Sequence, residues 1–99
     1  MDNLEMFKGI AETMCETYKA KNNDYGDSFG ESVRKYGIIS ALTRISDKFN
    51  RLETLLLNKN QLVKTESIND TLLDLACYSI MTIIELSKKT GATGTIDDK

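Results

Sequence analysis

Residues 38–58 read IISALTRISDKFNRLETLLLN, and their apolar side chains decide the fold. Ile38, Leu42, Ile45, Phe49, Leu52 and Leu56 alternate spacings of four and three, the repeat of a heptad seam, which predicts a long helix. Residues 66–86, ESINDTLLDLACYSIMTIIEL, follow the same period with a wider apolar arc. That arc, from Ile68 to Leu86, covers more than half of the helix circumference. It implies contact on two sides, one toward the rest of the chain and one toward another subunit. This helix is expected to start at Glu66 or Ser67, where Ser67 and Asp70 form a capping-type pair, and to end near Lys89 with Gly91 beyond it.

Working outward, Leu4, Phe7, Ile10, Ala11, Met14 and Tyr18 recur at helical spacing over residues 3–20, with Asp2 as N-cap. Gly9 inside that stretch costs about 1 kcal/mol relative to alanine. KNNDYGDS, residues 21–28, breaks the period with Asn, Asp and Gly and predicts a structured turn. Ser28 and Glu31 form a capping-box pattern that opens a short helix to Tyr36, closed by Gly37. Residues 58–65 form the next connection, and the polar tail 91–99, GATGTIDDK, has no period. The expected fold is all-α: a four-helix chain with two long helices, one medium and one short, assembling as a helical-bundle oligomer. Residues 1–90 make a single helical domain.

Composition bounds the chemistry. Ninety-nine residues can bury only a modest core, which often gains from association. A net charge of −2 argues against a general nucleic-acid binder, so no direct DNA binding is expected. No apolar run reaches the roughly 20 residues of a membrane span, and the first residues do not read as a signal peptide, which points to the cytoplasm. Cys15 and Cys77 are then reduced thiols. The chain has no histidine, which removes Ser-His-Asp, Cys-His and histidine-zinc chemistry. Any metal would be a hard ion on carboxylates.

Three clusters remain. Arg44, Lys48 and Arg51 fall within about 60° on the helix wheel, beside the seam. There they can face a groove whose low dielectric strengthens a hold on phosphate. A solvated surface on which Asp47 pairs with both arginines explains the same pattern. Asp70 and Asp74 stack one turn apart and repel unless a cation lies between them, either a divalent ion or a side chain of the preceding helix. The helix dipole accounts for Asp70 better than for Asp74, which sits in LLDLA. In KNNDYGDSF, Tyr25 can stack on a base, Lys21 can meet a phosphate and Asp24 adds a polar group. A helix–helix turn with Asx-type self-bonding and Tyr25 packed on the core explains that stretch more simply. No GxxxxGK[ST] phosphate loop is present.

KNNDYGDSF at 21–29, ALTRISDKFNRLETLL at 41–56 and the stretch 66–86, in that order and spacing, resemble a family of small helical proteins, mainly phage-encoded. It was formerly a domain of unknown function and later a nucleotide-modification-associated domain. More distantly the chain is similar to the all-α nucleoside triphosphate pyrophosphatases of MazG and dimeric dUTPase type. Those enzymes hold magnesium on E-x-x-E and E-x-x-D helices. The corresponding positions here are Asp47 and Asn50, then Asp70 and Asp74. Asn50 replaces a carboxylate and the second pair is spaced by four, which weighs against hydrolysis more than against nucleotide binding.

The expected function is therefore binding of a nucleotide or nucleotide-derived phosphorylated small molecule between helices or subunits. The expected ligand residues are Arg44, Lys48, Arg51, Asp70, Asp74, Tyr25, Lys21 and Asp24, with no cofactor. The resemblance adds a phage setting in the host cytoplasm, where sequestering a host signalling nucleotide would act against host defence. The first alternative is a magnesium-dependent pyrophosphatase with Asp47, Asp70 and Asp74 as metal ligands. The second is a non-enzymatic helical interaction protein.

Overall fold

A computed structural model describes residues 1–57 and 65–90, apart from the side chains of Tyr25, Thr65, Glu66, Lys89 and Thr90. The expected connection at 58–65 falls, all but Thr65, outside the described residues, as does the tail 91–99. Four helices follow in order: α1 (Asn3–Tyr25), α2 (Ser28–Tyr36), α3 (Ile39–Leu57) and α4 (Thr65–Thr90). Among the described residues there is no strand.

α1 opens on a complete capping box. The Asp2 carboxylate accepts from the Glu5 N–H at 2.8 Å, and the Glu5 carboxylate accepts from the Asp2 N–H at 3.3 Å. The helix runs five residues past its expected end. Lys21, Asn22, Asn23 and Asp24 lie exposed, where a helix needs no apolar period to continue. Gly26 stops it with φ of 73°, its N–H donating to the Asn22 carbonyl at 2.9 Å. The turn is thereby reduced to Gly26 and Asp27. The N-cap of α2 is Asp27, not Ser28: its carboxylate accepts from the Gly30 N–H at 3.2 Å. Asp and Ser cap about equally well, and Asp27 is the residue that follows the glycine stop. α2 ends at Gly37, with φ of 89°.

α3 and α4 run antiparallel. Arg44 lies over Tyr78 and Lys48 pairs with Asp74, so numbers rise on one helix as they fall on the other. Among the described residues, Ala41 and Leu55 of α3 and Phe29 of α2 are the buried apolar side chains. Thr71 of α4 is buried too, its hydroxyl donating to the Ser67 carbonyl at 2.8 Å. The inward face of α3 is thus one edge of its apolar arc, and the outer seam positions Leu42, Phe49 and Leu56 remain exposed. α1 crosses α4 with its C-terminal half only; Leu4, Phe7 and Ile10 extend beyond the contact, uncovered.

Candidate functional site

Where α1, the α1–α2 junction, α3 and α4 meet, they leave a cleft of about 700 Å³. That is within the ordinary range for small-molecule sites. Met14, Tyr18 and Lys21 come from the apolar stripe of α1 and its continuation. Phe29 comes from α2, Arg44 and Lys48 from α3, and Asp70, Asp74 and Cys77 from α4. Cys77 and Met81 continue the helix side that bears the two aspartates, so one turn-by-turn row of α4 forms the floor.

Two kinds of cation meet here. Lys48 Nζ reaches Asp74 Oδ2 at 3.0 Å, and both side chains keep partial solvent access. Such a pair contributes about 1 kcal/mol or less. Arg44 instead rests on carbon. Its guanidinium lies 5.8 Å from the ring centroids of both Phe29 and Tyr78, which stack on each other at 5.7 Å and 24°. Contacts of this type contribute about 0.5–2 kcal/mol and hold the guanidinium plane in place. Among the described residues no carboxylate pairs with Arg44 or Lys21, and no cation pairs with Asp70.

Five of the sequence-predicted residues therefore line one cleft: Lys21, Arg44, Lys48, Asp70 and Asp74. Arg51, Asp24 and Asp47 do not line it and are exposed. The side chain of Tyr25 lies outside the described set. Asp47 forms no ion pair with Arg44 or Arg51 among the described residues. No three acidic or cysteine side chains among those residues converge as a metal site would need. Asp47, Asp70 and Asp74 are accordingly not gathered around one point.

A second charged network, not foreseen from the sequence, fixes the cleft's α2 wall. Arg34 Nη2 reaches Asp27 Oδ2 at 3.0 Å and its Nη1 reaches Glu85 Oε1 at 3.1 Å. Lys88 Nζ lies 3.3 Å from Glu85 Oε2. The Glu85 side chain is only 6% exposed, so it depends on these cations. Arg34 beside Asp27 holds its carboxyl below the usual range, burial opposes, and the Gly30 N–H reinforces the lowering. Gly30 is where the network closes: a Cβ there would sit 2.5 Å from Asp27 Oδ2 and 2.8 Å from Glu85 Oε2. The visible signal was a glutamate inside IIELS, the counterpart of Asp74 inside LLDLA. Beside the main cleft, a smaller cavity of about 240 Å³ is lined by Glu85 and Lys88. In the cleft itself, burial pushes the Cys77 thiol up, Asp74 adds to that and Lys21 opposes it. Cys77 thus lines the cleft as a neutral thiol.

Fold and site together define a small all-helical domain with a mixed-charge cleft walled partly by aromatic rings. The chain belongs to the nucleotide modification associated domain 1 family, which it matches over residues 21–86. That span holds most of the cleft and leaves out nearly all of α1. No curated protein and no solved structure matches the chain. No helix among the described residues is long and apolar enough to cross a membrane.

Proposed function

We propose that the cleft binds a nucleotide or a nucleotide-derived phosphorylated small molecule. One observation carries this: Arg44 and Lys21 enter a ligand-sized cleft without carboxylate partners among the described residues, and Arg44 is held by two rings. A guanidinium fixed on carbon keeps its N–H groups free for phosphate oxygens. Asp70 accepts from ribose hydroxyl or base amino groups, and Asp74 does so beside Lys48. The family's association with nucleotide modification supports the same ligand class.

Charge narrows the ligand. Lys21, Arg44 and Lys48 face Asp27, Asp70 and Asp74 across the cleft. Arg34 already satisfies Asp27, and Lys48 satisfies Asp74. Two cations and one carboxylate are left, which suits a phosphate monoester or diester better than a triphosphate. A magnesium-triphosphate site draws on several carboxylates, whereas among the described residues no three acidic side chains converge and Asp27 is held by Arg34. Binding without hydrolysis suits a phage-encoded protein that withholds a host signalling nucleotide in the host cytoplasm, with copies of the chain assembled into an oligomer.

The test is calorimetric titration of the full chain with nucleoside mono-, di- and triphosphates and cyclic dinucleotides, with and without magnesium. Bound ligand is then released by heat and analysed. Intact monoester or diester ligand is expected, with Kd raised at least tenfold in Arg44→Ala. Magnesium-dependent pyrophosphate release that disappears in Asp74→Ala would replace binding by catalysis. Absence of any binding would leave a helical interaction protein.

A further inference from the structure

The cleft carries its charges in order along α4. Asp70, Asp74 and Tyr78 follow one another at intervals of about one turn, and all three line it. At Tyr78 the Arg44 guanidinium lies over the ring, 5.8 Å from its centroid. Burial raises the pKa of the neighbouring Cys77 thiol and Lys21 opposes that rise, so Lys21 brings its charge to the same level. One turn back, Lys48 and Asp74 close on each other at 3.0 Å. Another turn back stands Asp70, with which no cation pairs among the described residues. The two cations without carboxylate partners thus lie at one end and the unpaired carboxylate at the other, about 12 Å apart along the helix axis. Leu73, three residues from Asp70 and also lining the cleft, gives the acidic end an apolar wall.

We infer that the cleft selects a guanine nucleotide, its phosphate on Arg44 and Lys21 and the Watson–Crick edge of its base on the Asp70 carboxylate. The inference rests on the phosphate reading above and adds the base to it. An ionised carboxylate only accepts hydrogen bonds, through two oxygens side by side, so its match is a pair of adjacent donors. Guanine presents that pair on one edge, as N1–H and the 2-amino group. Adenine and cytosine set an amino donor beside a ring-nitrogen acceptor, and uracil holds its single N3–H between two carbonyls. Each of those three edges turns a lone pair on a carboxylate oxygen. The ribose hydroxyls are also adjacent donors, but in a nucleotide they lie close to the phosphate, at the level of Asp74 and Lys48. The base edge lies beyond the sugar, at the level of Asp70, where Leu73 can take the face of the ring.

Calorimetric titration of the full chain with GMP, AMP, CMP and UMP tests this. GMP is expected to bind at least tenfold more tightly than the other three, since a bidentate pair discriminates by about 5- to 150-fold. Asp70→Asn places a donor beside an acceptor. It should weaken GMP at least tenfold and strengthen xanthosine monophosphate, whose 2-carbonyl stands beside N1–H. Asp70 is exposed, so the variant leaves the packing of α4 in place. Four nucleotides bound alike, with Kd raised in Arg44→Ala, would overturn the choice of base and leave the phosphate reading standing. A GMP preference that Asp70→Asn leaves unchanged overturns it too. So does an equal loss of all four in that variant, with 2′-deoxy-GMP weaker than GMP on the wild type, which places Asp70 on the ribose. Absence of binding by every nucleotide overturns both readings.

Discussion

α1 and α2 wall the same cleft, yet they are attached in opposite ways. α2, nine residues long, is capped by Asp27, tied through Arg34 to Glu85 of α4, and stacked through Phe29 on Tyr78. α1, with 23 residues, has a well-formed cap but meets the rest of the chain only along its C-terminal half. Length therefore does not decide how firmly an element is held; the number of satisfied contacts per residue does. The short helix is the fixed wall, and the long one is the wall that can give.

The largest effect should come from unfastening the fixed wall. Arg34→Met leaves Glu85 buried with Lys88 alone, and urea denaturation should show a loss of about 1.5–3 kcal/mol. A loss under 0.5 kcal/mol would mean that α2 is held by the Phe29–Tyr78 stack instead.

The two helical glycines give the sharpest contrast. In an exposed helix interior, glycine to alanine gains up to about 1 kcal/mol. At Gly30 the added methyl meets the carboxylates of Asp27 and Glu85, and overpacking of about 1–3 kcal/mol should reverse the sign to a net loss near 1 kcal/mol. At Gly9 on α1 a Cβ meets nothing within 4 Å, so Gly9→Ala should stabilise by about 0.5–1 kcal/mol. Equal signs in thermal melts of the two variants would erase the distinction between the walls.

Acid should act on the same side, more weakly. Asp27 has a folded pKa below its ordinary 3.8, so its contribution is complete above 3.8 and is lost as pH falls through the lowered value. Melts below pH 3.8 should therefore show a loss in the wild type that is smaller in Arg34→Met, where the Gly30 N–H still favours the Asp27 carboxylate. Because the Asp27 side chain keeps partial solvent access, this difference should be the smallest of the four.

Much of this was legible from residue spacing. The helical stretches of α3 and α4 followed from apolar period, and the cations at the seam edge, Arg44 and Lys48, lie where that edge meets α4. The seam itself misled. An apolar arc wider than one contact leaves open which edge turns inward, and the chain buries Ala41 and Leu55 while Leu42, Phe49 and Leu56 stay outside. The end of α1 was hidden because exposed polar residues carry no period. Arg34 and Glu85 were hidden for another reason: the pair lies 51 residues apart, and no local pattern links one helix turn to another at that distance. Arg51 and Asp47 share a helix with Arg44, but Arg51 lies about two turns further along the axis and Asp47 is rotated away from Lys48, so neither lines the cleft.

One detail of the cleft makes it self-reporting. The chain has four tyrosines and no tryptophan, so its near-ultraviolet emission is that of tyrosine alone. Among the described side chains, Tyr18 and Tyr78 line the cleft, and Tyr78 lies beneath the Arg44 guanidinium. Anything that draws that cation toward itself changes the electric field and the collisional partners of the ring below. The protein thus carries its own optical gauge of where Arg44 lies, readable without a dye.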